Sequence, residues 1–395
     1  MRILLGAFGD PGHAFPMLAL GRALRGRGHD VTIQTWERWR ADAEREGLGF
    51  AAAPEYDVFP TQGRHLRPYE AALRAARDTA PLIEELRPDA VVADILTLAP
   101  ALAAEVAGVR VATLIPHVDP RPSPGFPPYS LGARLPRTAI GRALWRTLDP
   151  LVLRGVEQGR RELDETRTRL GLGPSGRVHG GISRTLALVG TFPQLEYPRA
   201  QRDAGTHVIG PLLWEPPTTP VELPPGDVPL VLVAPSTAQD AQHRLLRAAV
   251  EGLADRDDLR VLATWNDRPL PAPVETPATM RLVPWLSYAA VMPLCAAVVC
   301  HGGHGTLVRA LASGAVPVCA PAGGDMAENA ARVAWAGAGV RIPRRLTGPR
   351  AVRLGVLRAL GSPGYAQRAR ELRHWALEHD PGSTASALVE RWAST

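Results

Sequence analysis

The sequence predicts an α/β protein of two similar halves, each built around parallel strands flanked by helices. Three observations predict it. The chain opens as strand, turn, helix and strand over residues 2–34, a βαβ unit. Prolines crowd a stretch near the middle, after which strand, turn, helix and strand begin again. In the second half, two successive apolar strands end in turns rich in glycine and polar residues, the kind of sheet edge where open α/β folds bind ligands. At 395 residues the chain exceeds what one hydrophobic core usually serves, which agrees with two domains.

In the first half, residues 2–7 are a strand, and Gly9-Asp10-Pro11-Gly12-His13 is a turn. A helix then runs to about Arg27, with Leu18, Leu20, Ala23 and Leu24 apolar and Gly28 as its stop. Val31–Gln34 is the second strand, and further strands fall at Phe50–Ala53, Ala90–Ala93, Val111–Leu114 and Leu186–Val189. Helices lie between them, at Tyr69–Leu86 and Leu98–Ala107. His117–Arg137, rich in Pro, Gly and Ser, is a long loop of the kind that forms binding walls.

Pro216, Pro217, Pro220, Pro224, Pro225 and Pro229 make a semi-rigid linker. It divides the chain into residues 1–212, a linker at 213–228, a second domain at 229–379 and a terminal helix at 380–395. After the linker come strand Leu230–Ala234, turn Pro235-Ser236-Thr237, helix Ala241–Leu253 and strand Arg260–Thr264. Tyr365–Trp392 is helical in pattern, broken at Asp380-Pro381-Gly382.

Composition narrows the function. The net charge is +6, yet every one of the 45 basic residues is arginine, interspersed with acids on helical segments such as Arg154–Arg169. That reads as solvated helix faces rather than a nucleic-acid stripe. Without lysine there is no Walker A loop, no Schiff base and no Ser-Lys dyad. Cys295, Cys300 and Cys319 lie in apolar strand contexts and read as buried thiols, which points to a cytoplasmic protein. The apolar run Ala289–Cys300 is interrupted by proline and too short to span a bilayer, and Met1–Leu5 opens a strand rather than a signal peptide.

The organising stretch is Val298-Val299-Cys300-His301-Gly302-Gly303-His304-Gly305-Thr306-Leu307. A buried strand, a tight glycine turn and a helix starting near His304 make an anion site, where free N–H groups and the helix dipole face a phosphate. Thr306 adds a hydroxyl and His301 a ring N–H. Alone, such a turn is equally consistent with tight packing. The next strand, Val316–Cys319, leads into Ala320-Pro321-Ala322-Gly323-Gly324-Asp325-Met326-Ala327-Glu328-Asn329, with Asp325 as the expected N-cap of another helix.

These two segments resemble the donor region of the UDP-glycosyltransferase superfamily, in its bacterial macrolide and antibiotic branch, whose motif reads H-G-G-x-G-T … P-x-x-x-D-Q-x-x-N. The resemblance covers essentially the whole chain. It implies the GT-B architecture: two Rossmann-like domains facing across a cleft, acceptor in the first, nucleotide sugar in the second, and a last helix crossing back to the first. It implies that His301, Gly303, Gly305, Thr306 and Ser236 surround the diphosphate, that Val283 and Trp285 lie near the nucleobase, and that Asp325 holds sugar hydroxyls. Trp285 is equally readable as core, and Asp325 as only a helix cap. Met326 stands where the family usually has Gln, which removes an amide from the sugar site, and His304 occupies the motif's variable position.

Two residues of the first half stand out chemically. His13 follows the first strand, and an imidazole with a pKa near ~6.5 suits a general base at neutral pH. A structural or capping role fits its position equally well. Asp94 ends a strand expected to run parallel to the first, so it either orients the imidazole or caps the next helix. The resemblance favours the catalytic reading, since the family's acceptor-activating His and its Asp partner match both positions. It implies an inverting, metal-independent transfer from a UDP- or TDP-sugar to a small, natural-product-like acceptor, by a monomer or homodimer with no cofactor beyond the donor. Asp255-Arg256-Asp257 spells the D-x-D of metal-dependent transferases but sits in a polar turn. Competing readings are a nucleotide-sugar epimerase on the same fold and a non-catalytic nucleotide-sugar-binding partner. A dinucleotide-dependent dehydrogenase lacks its fingerprint.

Overall fold

This computed structural model describes residues 1–54, 68–175, 181–236, 240, 242–270 and 273–395. The first half runs β1 (Arg2–Gly6), α1 (Pro11–Gly26), β2 (Asp30–Thr35), α2 (Arg40–Arg45), β3 (Gly49–Ala52), α3 (Pro68–Leu86), β4 (Ala90–Asp94), α4 (Leu98–Val106), β5 (Arg110–Ile115), α5 (Ala139–Arg146), α6 (Asp149–Thr168), β6 (Ala187–Val189) and β7 (Thr206–Val208). The second runs β8 (Leu230–Ala234), α7 (Arg244–Leu253), β9 (Arg260–Thr264), β10 (Met280–Val283), α8 (Tyr288–Val291), β11 (Ala297–Cys300), α9 (His304–Ala312), β12 (Val316–Cys319), α10 (Asp325–Trp335), β13 (Val340–Arg341), α11 (Pro349–Gly361), α12 (Pro363–Glu378) and α13 (Pro381–Ser394).

The strands form two parallel sheets, ordered β3-β2-β1-β4-β5-β6-β7 and β10-β9-β8-β11-β12-β13. Both are doubly wound, and both reverse strand order next to their first strand. Each is covered on two faces, which explains the continuous apolar runs. In β8, Leu230, Leu232 and Ala234 pack in one layer with Leu307 and Leu311 of α9, while Val231 and Val233 pack in the other with Leu246 of α7 and Val356 of α11.

The first sheet divides in the same way. Ile3 and Leu5 meet Met17 and Leu24 of α1, and Leu4 meets Val91 and Ala104. The terminal helix α13 crosses back onto this first layer through Ala385 and Val389. Burying a valine such as Val389 contributes about 1.5–3 kcal/mol, more than the exposed Arg27–Glu390 pair nearby. Asp380 starts that helix, its Oδ1 accepting the Ser383 N–H at 2.9 Å, with Pro381 in the first turn.

Three sequence expectations shift. α1 begins at Pro11, so His13 lies inside its first turn; proline pre-sets the helical φ there. α7 begins at Arg244 rather than Ala241, because Asp240 takes the Arg244 and Leu245 N–H groups at 3.0 Å and His243 is left-handed at φ 51°. β7, three residues long, is too short to show in the apolar pattern. Residues 116–138 form no helix or strand, as expected of the loop. Thr237, Ala241 and residues 55–67 between β3 and α3 lie outside the described residues.

Candidate active site

Strand order reverses between β1 and β4 in the first sheet and between β8 and β11 in the second. Connections leave such a point in opposite directions and open a crevice at the carboxyl ends of the strands. His13 follows β1 and Asp94 ends β4; Ser236 follows β8 and His301 follows β11. All four therefore flank the two crevices.

His13 Nδ1 lies 2.8 Å from Asp94 Oδ1. Asp94 is 1% exposed, and its other oxygen accepts the Phe8 N–H at 3.1 Å. The Thr97 hydroxyl and Leu96 N–H also approach the carboxylate, each at 3.4 Å, so Asp94 serves the turn before α4 as well as the imidazole. Burial disfavours the His13 imidazolium, but the charge and hydrogen bond of Asp94, then Asp10 and Asp325, outweigh it and raise the pKa above 6.5. His13 is the third residue of α1, past the capping position.

In the second sheet, His301 is 9% exposed and its Nδ1 lies 3.3 Å from the Ala234 carbonyl, so that nitrogen carries the proton. Burial first of all holds its pKa below 6.5, which keeps the ring neutral. The two glycines after it have no room for a side chain. Gly302 has φ 83°, and a Cβ on Gly303 would lie 2.3 Å from His301 Nε2. Gly303 caps α9 without a side-chain bond, leaving the first-turn N–H groups of His304, Gly305 and Thr306 directed out of the helix. Gly303 and Thr306 are half-buried and Gly305 exposed. Beside His301 lies a cavity of about 360 Å³ whose walls include Arg244, Arg344 and Thr347. Ser236 is buried, its carbonyl accepting from Arg268 at 3.4 Å.

Asp325 is the first residue of α10; Gly324 is the N-cap, which corrects the expected role, and at φ 52° it favours glycine over an aspartate. Asp325 Oδ2 accepts from Asn329 Nδ2 at 3.4 Å, and the same amide reaches the Gly302 carbonyl at 3.1 Å, tying α10 to the glycine turn. Met326 is 8% exposed. Val283 ends β10, an edge strand, and packs against the core layer that holds Cys300; Trp285, half-buried, follows it just before α8, which packs on α9.

The two crevices face each other. Asp325 of the second half acts electrostatically on His13 of the first. His304 Nε2 lies 3.3 Å from the Gly190 carbonyl, and its ring centre lies 6.5 Å from that of His117.

Residues 248–390 match the family described as erythromycin biosynthesis protein CIII-like, C-terminal domain. Over 98% of its length the chain is 30% identical to 4'-demethylrebeccamycin synthase of Lentzea aerocolonigenes, covering 99% of that protein. It is also 30% identical to elloramycin glycosyltransferase ElmGT of Streptomyces olivaceus, over 94% of this chain and 92% of that one. The chain belongs to the antibiotic glycosyltransferases. Their GT-B fold is seen in the crystal structure of glycosyltransferase VinC in complex with dTDP, which superposes with a TM-score of 0.69 at 20% identity over 100% of both chains.

In this glycosyltransferase the Asp255-Arg256-Asp257 turn precedes β9, at the sheet edge away from the cleft, where Asp255 pairs with Arg353 and Arg256 with Asp258. Among the described residues no helix is long and apolar enough to cross a membrane.

Sequence reasoning passed over three residues of the cleft. His117 follows β5 by two positions, the same signal that singled out His13; its Nδ1 lies 2.8 Å from the Val118 carbonyl and its ring centre 6.2 Å from that of His13. His304, at the motif's variable position, is buried between the halves, and desolvation pushes its pKa down to about 3. Arg332 of α10 reaches Glu196 of the first half at 3.4 Å, a buried pair across the cleft. Nothing in local sequence announces such a pairing.

Proposed function

We propose that this glycosyltransferase moves a sugar from a UDP- or TDP-sugar to a hydroxyl of a small natural-product acceptor, with inversion, without a metal, and with His13 as general base. The observation that carries the reading is the 2.8 Å contact from His13 Nδ1 to Asp94 Oδ1. Asp94 accepts the hydrogen bond from the Nδ1–H group, so the neutral ring presents its Nε2 lone pair to an acceptor hydroxyl. As that oxygen bonds to the anomeric carbon, its proton passes to Nε2 and the bond from the anomeric carbon to the phosphate oxygen breaks on the opposite face. The imidazolium formed is stabilised by Asp94.

The negative charge reaching the leaving diphosphate is met by His301, the N–H groups of His304, Gly305 and Thr306, and Ser236. Asp325 then takes sugar hydroxyls, with Met326 beside it, and Val283 and Trp285 lie toward the nucleobase. The dTDP in VinC agrees with a nucleoside diphosphate in this cleft. The donor is a co-substrate, and no resident cofactor has a role in this scheme.

A calorimetric titration with UDP, TDP and GDP, each with and without EDTA, tests the donor site. Tight binding of one diphosphate that survives EDTA is expected. Binding only with a divalent metal would overturn the metal-free reading. The anomeric coupling of the glycoside, read by NMR from an α-linked donor, tests inversion: retention of the α configuration would remove His13 from the role of base.

A further inference from the structure

One surface of the first half is apolar, basic and uncovered. The Thr138 hydroxyl accepts the Gly141 N–H at 3.1 Å and so starts α5. Gly141 turns inward, since a Cβ there would lie 2.6 Å from Pro136, and Trp145, one turn on, is half-buried. The rest of α5 is open. Alone among the helices, it buries none of the described residues. Ile140 is 84% exposed and Leu144 69%. Half-buried Leu148 and exposed Leu151 continue their spacing, the stripe of one helical face, across the short break before α6. Exposed apolar side chains scattered singly need no explanation, but a run of them marks an interaction site.

Charge narrows what covers it. Arg134, Arg137, Arg142, Arg146 and Arg154 accompany the stripe along the chain. The only acid between Leu131 and Val156 is Asp149, and its carboxylate is taken by the Gly125 N–H at 3.3 Å. Arg142 and Arg146, two positions on from Ile140 and Leu144, fall on the opposite flank of α5 and are exposed too. A second copy docked face to face would set these arginines against their own kind. Protein partners anchor chiefly on aromatic side chains, whereas this stripe is aliphatic. A helix with leucine and isoleucine on one flank and arginine on the other is suited to lie in the headgroup layer of an anionic membrane, its apolar flank at the acyl boundary and its guanidinium groups on lipid phosphates.

We infer that α5 and the start of α6 dock on an anionic lipid bilayer, with Ile140, Leu144 and Leu151 entering it. Leu151 also lines the cavity between the 119–129 loop, α6 and Arg332 of α10, so the docked face borders the cleft between the halves. The inference is independent of the donor chemistry, which stands or falls by its own titration.

The test is cosedimentation of the full chain with vesicles at about 0.1 M salt, made of phosphatidylcholine alone or with an equal part of phosphatidylglycerol. Partitioning to the anionic vesicles should exceed that to the neutral ones by at least about tenfold, since each arginine near such a surface contributes about fivefold. The double variant Ile140→Ser, Leu144→Ser and the double variant Arg142→Gln, Arg146→Gln should each lower it by about tenfold or more. Should one of them not fold, the other decides. Controls lie on α11 of the second half, where Leu354→Ser and the double variant Arg350→Gln, Arg358→Gln change an exposed leucine and two exposed arginines and should bind as wild type does. Binding that is equal on the two vesicle types, kept in the α5 variants, or lost as much in the α11 variants overturns the inference. Absent binding overturns it in favour of a protein partner. A dimer in sedimentation velocity that Ile140→Ser, Leu144→Ser dissolves overturns it in favour of a second copy.

Discussion

Asp94 holds the His13 ring with Oδ1 at 2.8 Å from Nδ1 while its Oδ2 is fixed by the Phe8 amide at 3.1 Å. An asparagine in its place keeps the size but offers Nδ1 either a weaker acceptor or an NH₂ that demands the wrong tautomer. Asp94→Asn is expected to lower kcat about 10²–10⁴-fold while calorimetric affinity for the nucleoside diphosphate stays as in wild type. A near-normal kcat would reduce Asp94 to the part it plays in the turn before α4.

In the proposed mechanism the pH profile depends on the same pair. His13 is shifted upward: burial opposes the charge, but Asp94, Asp10 and Asp325 prevail. A base must be neutral, so kcat/KM should fall as pH drops through a midpoint above 6.5, and Asp94→Asn should move that midpoint down. Burial holds His117 and His304 below their ordinary value, so neither supplies this limb. Linkage runs the other way for stability. A folded-state pKa above the unfolded value stabilises below the unfolded value, near ~6.5, and the gain is lost as pH rises through the folded one. Tm should therefore decline over the interval in which kcat/KM climbs. The two curves rising together would contradict the assignment of the limb to His13.

Much of this was legible because parallel strands buried on both faces write long apolar runs, and the residue just past each run marks the crevice. Asp94 at the end of β4 and His301 just past β11 follow that rule, whereas Ser236 was placed by the resemblance and His13 by the turn after β1. His117 obeyed the same rule and was hidden by the loop it opens. The cap of α10 was misassigned by one residue, since Gly324 and Asp325 are both good helix-start residues and only backbone φ separates them. The Arg332–Glu196 pair joins residues 136 positions apart, beyond any local pattern.

Gly303 has its own test. A methyl group there would lie 2.3 Å from His301 Nε2, so the ring or the turn must move. Gly303→Ala and His301→Ala should each weaken nucleoside diphosphate binding by about 10- to 100-fold, the loss of one or two buried hydrogen bonds. Unchanged affinity in both titrations would detach this turn from the phosphate.

Arg332 is 2% exposed between Glu328 and Glu196, and it joins the two halves. Arg332→Met fills the space but takes the cation from Glu328 and leaves Glu196 only Arg202, at 3.8 Å. The expected cost is about 3–5 kcal/mol in denaturant unfolding. A loss below about 1 kcal/mol, the range of exposed pairs, would mean that water reaches the two acids.

Met326 offers the sharpest question about the sugar. It is 8% exposed in the first turn of α10, directly after Asp325. Met326→Gln places an amide in a nearly dry position. In the free protein that amide lacks partners and should cost about 1–3 kcal/mol. A hexose with a full set of hydroxyls supplies those partners, so the cost should be offset when UDP-glucose is bound but not when UDP is. The increase in Tm from UDP to UDP-glucose should then be larger in the variant than in wild type, and UDP-glucose turnover should rise relative to a deoxygenated donor. Equal increments in the two proteins would mean that the side chain at 326 faces the packed interior, and the sugar preference would have to be set by Asp325 and its neighbours alone.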